Sequence, residues 1–211
     1  MSIAHHLDDA TLMSLAAGTL TPALAVVAAS HVTLCRHCQI GLTALESVGA
    51  ALLADLHPVP LASKPAPMPV HQPQRVGAQT ALPSDLPLPL ARLVGRPLKA
   101  VRWRPLSFGI WHHRIALAGA DAGELHLIRA APGYGLPAHG HNGAELTLVL
   151  RGAYQDEVGR FHMGDAADLD QSIEHRPVAD AAAGCICALA CERPARFQGL
   201  LPRLLQPLFG L

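Results

Sequence analysis

The chain has 211 residues, half of them apolar but only 4% aromatic, and 16 basic side chains balance 16 acidic ones. That length suits two small domains or one of ordinary size, and the zero formal net charge leaves no basic footprint for direct nucleic-acid binding. The N-terminus lacks a charged region followed by an apolar core, and no uninterrupted apolar run reaches the roughly 18 residues of a membrane span, so a soluble protein of the bacterial cytoplasm is expected.

Residues Leu7 to Ala17 predict a first helix, with Asp8 or Asp9 as cap, Leu12 and Leu15 on its apolar face, and Gly18 in the position of a C-terminal glycine. Thr21-Pro22 opens a second, with a hydroxyl at the cap and proline at the first helical position. This helix carries Leu24, Val27, Ala28 and His31 and is expected to run into Cys35. A third begins near Arg36 and continues through Ile40, Leu45, Val48, Leu52 and Leu56. Three short helices with so little bulk make a thin core.

Within them lies His31-x3-Cys35-x2-Cys38. On a continuous helix His31 and Cys35 share a face and Cys38 lies one turn on, which offers zinc three of its four tetrahedral ligands. The adjacent His5 and His6 are the nearest supply of a fourth. Two thiolates would balance the charge of the metal, and structural zinc contributes on the order of 10–16 kcal/mol in small modules.

From Pro58 to about Pro89 the composition changes. Pro58, Pro60, Pro65, Pro67, Pro69, Pro73, Pro83, Pro87 and Pro89 oppose regular structure and predict a semi-extended tether that lets the two halves move separately. The expected organisation is a helical domain over residues 1–57, a proline-rich connector over 58–97 with a short helix at Leu90 to Val94, and a β domain over 98–211.

Beyond the connector the period changes. Val101 to Pro105, Gly109 to Leu117, Glu124 to Ala130, Glu145 to Leu150 and Cys185 to Ala190 read as strands separated by turn residues, which indicates an antiparallel barrel or jelly roll. The apolar tail from Leu200 to Phe209 is expected to pack on the outside of this barrel. His139, His141 and Glu145 stand at even offsets, so an extended backbone points them to one face and Leu146, Leu148 and Leu150 to the other. His175 follows about 30 residues on, at a distance that suits a neighbouring strand. Three imidazoles and a carboxylate bind zinc or another divalent transition metal without selecting one. Cys185, Cys187 and Cys191 read as small buried hydrophobes, since same-face neighbours on one strand stand near 7 Å apart, too far for an unstrained disulfide.

The spacing Gly133-x5-His139-x-His141-x3-Glu145-x6-Gly152 resembles the first motif of the cupin superfamily, and Gly159, Gly164-Asp165 and His175 match its second motif more loosely. A His-x3-Cys-x2-Cys helical module ahead of a cupin resembles the ChrR group of zinc-binding anti-sigma factors. Matching stretches include His5-His6, Val101-Arg-Trp-Arg, Glu174-His175-x-Pro177, Cys185-Ile-Cys187 and the Leu-Pro-x-Leu-x-Gln-Pro tail. The resemblance implies a two-domain fold, an all-α zinc-binding module followed by an all-β cupin. It implies zinc ligands His6, His31, Cys35 and Cys38 in the first half, and metal ligands His139, His141, Glu145 and His175 in the second. It also implies a non-enzymatic regulator that sequesters a group IV (ECF) sigma factor and releases it on oxidative stress, such as singlet oxygen, sensed through the cupin. A catalytic, dioxygenase-like cupin with an accessory zinc module is the alternative. One departure stands out: anti-sigma modules of this type carry a fourth amphipathic helix, whereas Leu61 to Leu82 contains four prolines, each costing about 3 kcal/mol inside a helix.

Overall fold

The computed structural model describes residues 3–59 and 85–197. The expectations about a fourth helix over 61–82 and about the C-terminal tail lie outside those residues. Among the described residues four α-helices precede a β region: α1 (Asp9–Ala17), α2 (Pro22–Val32), α3 (Arg36–Ala54) and α4 (Leu88–Val94). Asp8 caps α1 in extended conformation, and the chain leaves the helix through Gly18, whose φ of 68° puts its N–H on the Leu15 carbonyl. Thr21 and Pro22 start α2 at the expected positions, but the Thr21 hydroxyl makes no capping hydrogen bond. The helix does not run into Cys35, however. Cys35 N–H still donates to the His31 carbonyl (2.9 Å), but its own backbone is extended and caps α3. The short helix after the prolines forms as α4, beginning two residues earlier than expected.

A 3-10 turn (Leu98–Ala100) leads into β1 (Arg104–Ser107), β2 (Ile110–Arg114), β3 (Glu124–Ala130), β4 (His139–Gly140) and β5 (Glu145–Gln155). There follow β6 (Arg160–His162), β7 (Ala166–Leu169), β8 (Glu174–His175), β9 (Val178–Ala179), β10 (Cys185–Cys191) and β11 (Arg196–Phe197). The larger sheet runs β1-β2-β3-β10-β5-β6, with β7 and β9 also paired to β5, and the smaller runs β11-β4-β8. All pairings are antiparallel, giving a cupin-like sandwich. The short strands β4, β6, β7, β8, β9 and β11 were not separable in the sequence, because pieces of two to four residues carry too little alternation.

Alternation on the long strands divides the apolar residues into two cores. Ile128, Val149, Tyr154, Cys187 and Leu189 point between the sheets. Leu125, Leu127, Leu146, Leu148, Ala188 and Ala190 point outward and join Leu24, Val27, Ala28, Leu90 and Val94 in one continuous cluster. Helix α2 is the hinge of this arrangement: Ala23, Val27 and Ala28 are fully buried, and it meets α1, α3 and α4 on one side and β3, β5 and β10 on the other. Ala23 N–H also donates to the Ala122 carbonyl (2.9 Å). The thin core of the helical segment is thus continuous with the outer face of the sheet.

Shared burial predicts shared unfolding. Leu148 is fully buried on the face covered by α2, so Leu148→Ala should cost about 2–5 kcal/mol. Circular dichroism of the helices and fluorescence of Trp103 and Trp111 should shift together along a urea titration. Separate transitions for the two probes would show that the halves unfold independently.

Candidate metal centres

The first cluster forms where α2 gives way to α3. His31 is fully buried in the last turn of α2, Cys35 caps α3, and Cys38 is the one buried residue of α3. The segment ahead of α1 brings in His6. One donor atom from each of His6, His31, Cys35 and Cys38 lies within 4.8 Å of the others. His6 Nδ1 is 3.2 Å from Cys35 Sγ, and His31 Nε2 is 3.3 Å from Cys38 Sγ. His5 is committed elsewhere, its ring tilted against Phe161 at 4.3 Å and its Nδ1 3.4 Å from an Asp165 oxygen. Tetrahedral zinc with bonds of about 2.0–2.3 Å separates its ligands by about 3.3–3.8 Å, so this donor set fits zinc. His31 Nδ1 donates to the Gly164 carbonyl (3.0 Å), which leaves Nε2 with its lone pair facing the thiols. Burial lowers His31 to about 4, with that carbonyl pulling the other way, so the ring is neutral and able to ligate. Burial raises the Cys38 thiol, opposed by the Leu7 N–H, so a cation must displace protons from the sulfurs as it binds.

The second cluster lies between the sheets. His139 on β4 pairs directly with His175 on β8, and Glu145 opens β5 opposite Leu169 of β7 and Cys191 of β10. His139, His141, Glu145 and His175 are all buried, with donor atoms within 4.8 Å of one another. Each imidazole is oriented from behind. His139 Nδ1 donates to the Pro137 carbonyl (2.9 Å), His141 Nδ1 to the Asp170 carbonyl (3.2 Å) and His175 Nδ1 to Asp156 Oδ2 (2.7 Å). All three Nε2 atoms therefore present lone pairs to the centre. Two of them, on His139 and His175, stand 3.1 Å apart. His141 Nε2 is buried without a hydrogen bond, 3.5 Å from Glu145 Oε2. Facing lone pairs beside a carboxylate repel unless a cation lies among them, and this set fits a divalent metal.

Electrostatics support the same reading. Burial lowers His139 to about 4. Burial raises the Glu145 carboxyl, opposed by His141 and His175. Burial also acts to raise Asp156, but hydrogen bonds from His175, Gly159 and Val158 outweigh it and hold that carboxyl below its ordinary value. A divalent ion with one carboxylate ligand would carry one net positive charge, and the Asp156 anion behind His175 offsets it. Beside the cluster opens a cavity of about 50 Å³, lined by Leu136, Thr147, Tyr154, Cys185 and Cys187 among others. Cys185, Cys187 and Cys191 are buried and unbridged. Contact with Cys185 and burial push Cys187 well up, and burial pushes Cys191 up to about 12, so both are protonated thiols.

Sequence reasoning missed Asp156 and Asp170 and met Asp165 only as part of the Gly164-Asp165 motif match, without its role; their side chain or carbonyl holds the ligands or the segment before α1. Asp156 and Asp170 sit in turns, and the turn before β7 contains Gly164-Asp165; those are their only local signals.

The fold and site together define a cupin with a thiol-containing helical module packed on its outer face. A family model described as the ChrR cupin-like domain matches residues 93–193. Anti-sigma-E factor ChrR of Cereibacter sphaeroides is 42% identical over 216 aligned residues, covering 100% of both chains. Among solved structures, the crystal structure of Rhodobacter sphaeroides SigE in complex with the anti-sigma ChrR matches with a TM-score of 0.76 and 39% identity, covering 90% of this chain and 100% of that one. The chain belongs to the ChrR family of anti-sigma factors.

Two metal measurements follow. Purified protein should hold two divalent ions per chain, and a thiol-blocking reagent with chelator should remove only the one at Cys35 and Cys38; atomic analysis giving one equivalent or none would contradict this. Asp156→Asn should weaken the cupin site by about 10–100-fold in a chelator competition. A pH dependence also follows. Burial holds His31, His126 and His139 neutral by lowering each from 6.5 to about 4. Below 6.5 the unfolded chain therefore binds more protons than the native one, and chelator-treated protein should lose stability as pH falls towards 4. Urea midpoints that stay flat across that window would contradict it.

Proposed function

We propose that this chain is a zinc-dependent anti-sigma factor of the cytoplasm that holds an ECF sigma factor through its helical module. Release then follows a change at the cupin metal site under oxidative stress such as singlet oxygen. Zinc is the metal assigned to His6, His31, Cys35 and Cys38, because two thiolates and two imidazoles suit it and give a neutral site. His139, His141, Glu145 and His175 would hold zinc or another divalent transition metal.

One observation carries the reading. Helix α3 has 19 residues and buries only Cys38. Leu42 and Leu45 pack on the core, and a Cβ on Gly41 would come within 3.1 Å of Leu12. Beyond these residues the apolar row continues along the helix uncovered among the described residues: Val48, Leu52 and Leu56 follow Leu45 at spacings of three and four, with Leu53 beside them and Ile40 on another face, all more than half exposed. An amphipathic helix left bare in this way lays its apolar side against a protein partner. A catalytic cupin has no use for such a surface, whereas a sequestering factor needs one. The related ChrR was crystallised in complex with SigE, which makes a sigma factor the natural occupant. The absence of a long fourth helix, expected from the prolines over 61–82, would leave α3 as a larger share of the grip.

Val48→Asp and Leu52→Asp should each abolish co-purification of the cognate sigma factor while helix content and metal content stay unchanged. A reporter strain should lose repression with either variant. Glu145→Ala, by contrast, should repress normally and fail to respond to singlet oxygen. If both α3 variants still repress, the sigma factor sits elsewhere.

A further inference from the structure

The stretch from Gly164 to Asp170 touches both clusters. At its start, the Gly164 carbonyl accepts from His31 Nδ1 (3.0 Å). Asp165, almost fully buried, accepts from Ala4 N–H (2.7 Å) and His5 N–H (3.2 Å) through one oxygen and from His162 N–H (2.8 Å) through the other. Ala166 N–H donates to the His5 carbonyl (3.3 Å), and Asp168 Oδ2 accepts from Asp8 N–H (3.0 Å). The chain on both sides of His6 is thus pinned to β7. At the far end, Leu169 pairs with Glu145 and the Asp170 carbonyl orients His141. Of the thiolate-site donors, His6 and His31 are set by this strand, whereas Cys35 and Cys38 are set by the helices.

We infer that residues 164–170 couple the two metal centres, so that a change at the cupin site alters the metal affinity of the His6–His31–Cys35–Cys38 site, with Asp165 and Asp168 as positioning residues. The inference rests on both clusters being metal sites. A strand held in a sheet moves as a unit, so displacement of Glu145 or His141 is transmitted along β7 to the carbonyl on His31 and the carboxylates beside His6. By linkage, the effect runs equally in the other direction.

The test loads full-length protein with cobalt. Thiolate-to-cobalt charge-transfer absorption reports only the Cys35–Cys38 site, because the cupin ligands include no sulfur. Chelator titration in wild type and Glu145→Ala should give thiolate-site affinities that differ by about fivefold or more. In the Asp168→Ala background the same Glu145→Ala change should shift the affinity by less than about twofold, and Asp168→Asn, which keeps an acceptor for Asp8 N–H, should restore the full effect. Asp165→Ala should uncouple likewise; if it fails to fold, Asp168→Ala with its Asn rescue decides alone. An unchanged affinity in Glu145→Ala, or an equal shift with and without Asp168, would overturn the coupling. Absence of any charge-transfer band would instead overturn the metal assignment beneath it.

Discussion

Strand β5 must satisfy two incompatible environments, and its period of two lets it. Leu146 and Leu148 face outward, where α2 removes them from water, while Glu145, Thr147 and Val149 face inward towards the cavity and the cupin cluster. A slip of one residue would put Glu145 under α2 and leucines among the imidazoles. Register on β5 is held by β10 on one side and β7 on the other, both antiparallel. The helical module can dock only because that register holds, and both clusters are placed relative to it.

The two clusters solve the problem of burying polar groups in different ways. With a divalent ion bound, the two sulfurs of the first cluster would supply its countercharge, whereas the imidazole cluster would draw part of its own from Asp156, hydrogen-bonded to His175. In both, Nδ1 of a buried histidine is occupied by a protein acceptor, so the ring cannot turn and the proton cannot migrate to the ligating nitrogen. Without a cation, the same pre-orientation leaves lone pairs facing each other.

Much of this was legible in the sequence, for particular reasons. His139, His141 and Glu145 could be placed together because even offsets on a strand allow one outcome. His31, Cys35 and Cys38 also come together, but not on a continuous helix: the chain breaks the helix at Thr33 and returns Cys35 as a cap. The docking of the two halves was not legible. Outward leucines such as Leu146 and Leu148 carry the same pattern whether a helix, a second sheet or a partner covers them. Nor could the role of Asp165 (met only within a motif match) or of Asp168 be read, since their partners lie about 160 residues away in the chain and are backbone N–H groups, which leave no mark on residue choice.

Helix α3 has a mechanical consequence. It is about 28 Å long, anchored near its first turn by Cys35 and Cys38 and braced by α1 only as far as the side that carries Leu42 and Leu45. Such a rod magnifies rotation: a tilt of about ten degrees at the sulfur end swings Ala54 through about 5 Å. Val48 and Leu52, nearer the pivot, move about 3–4 Å, enough to throw them out of register with any surface they grip. The chemistry at the sulfurs can therefore be small and local while its effect on a bound partner is large.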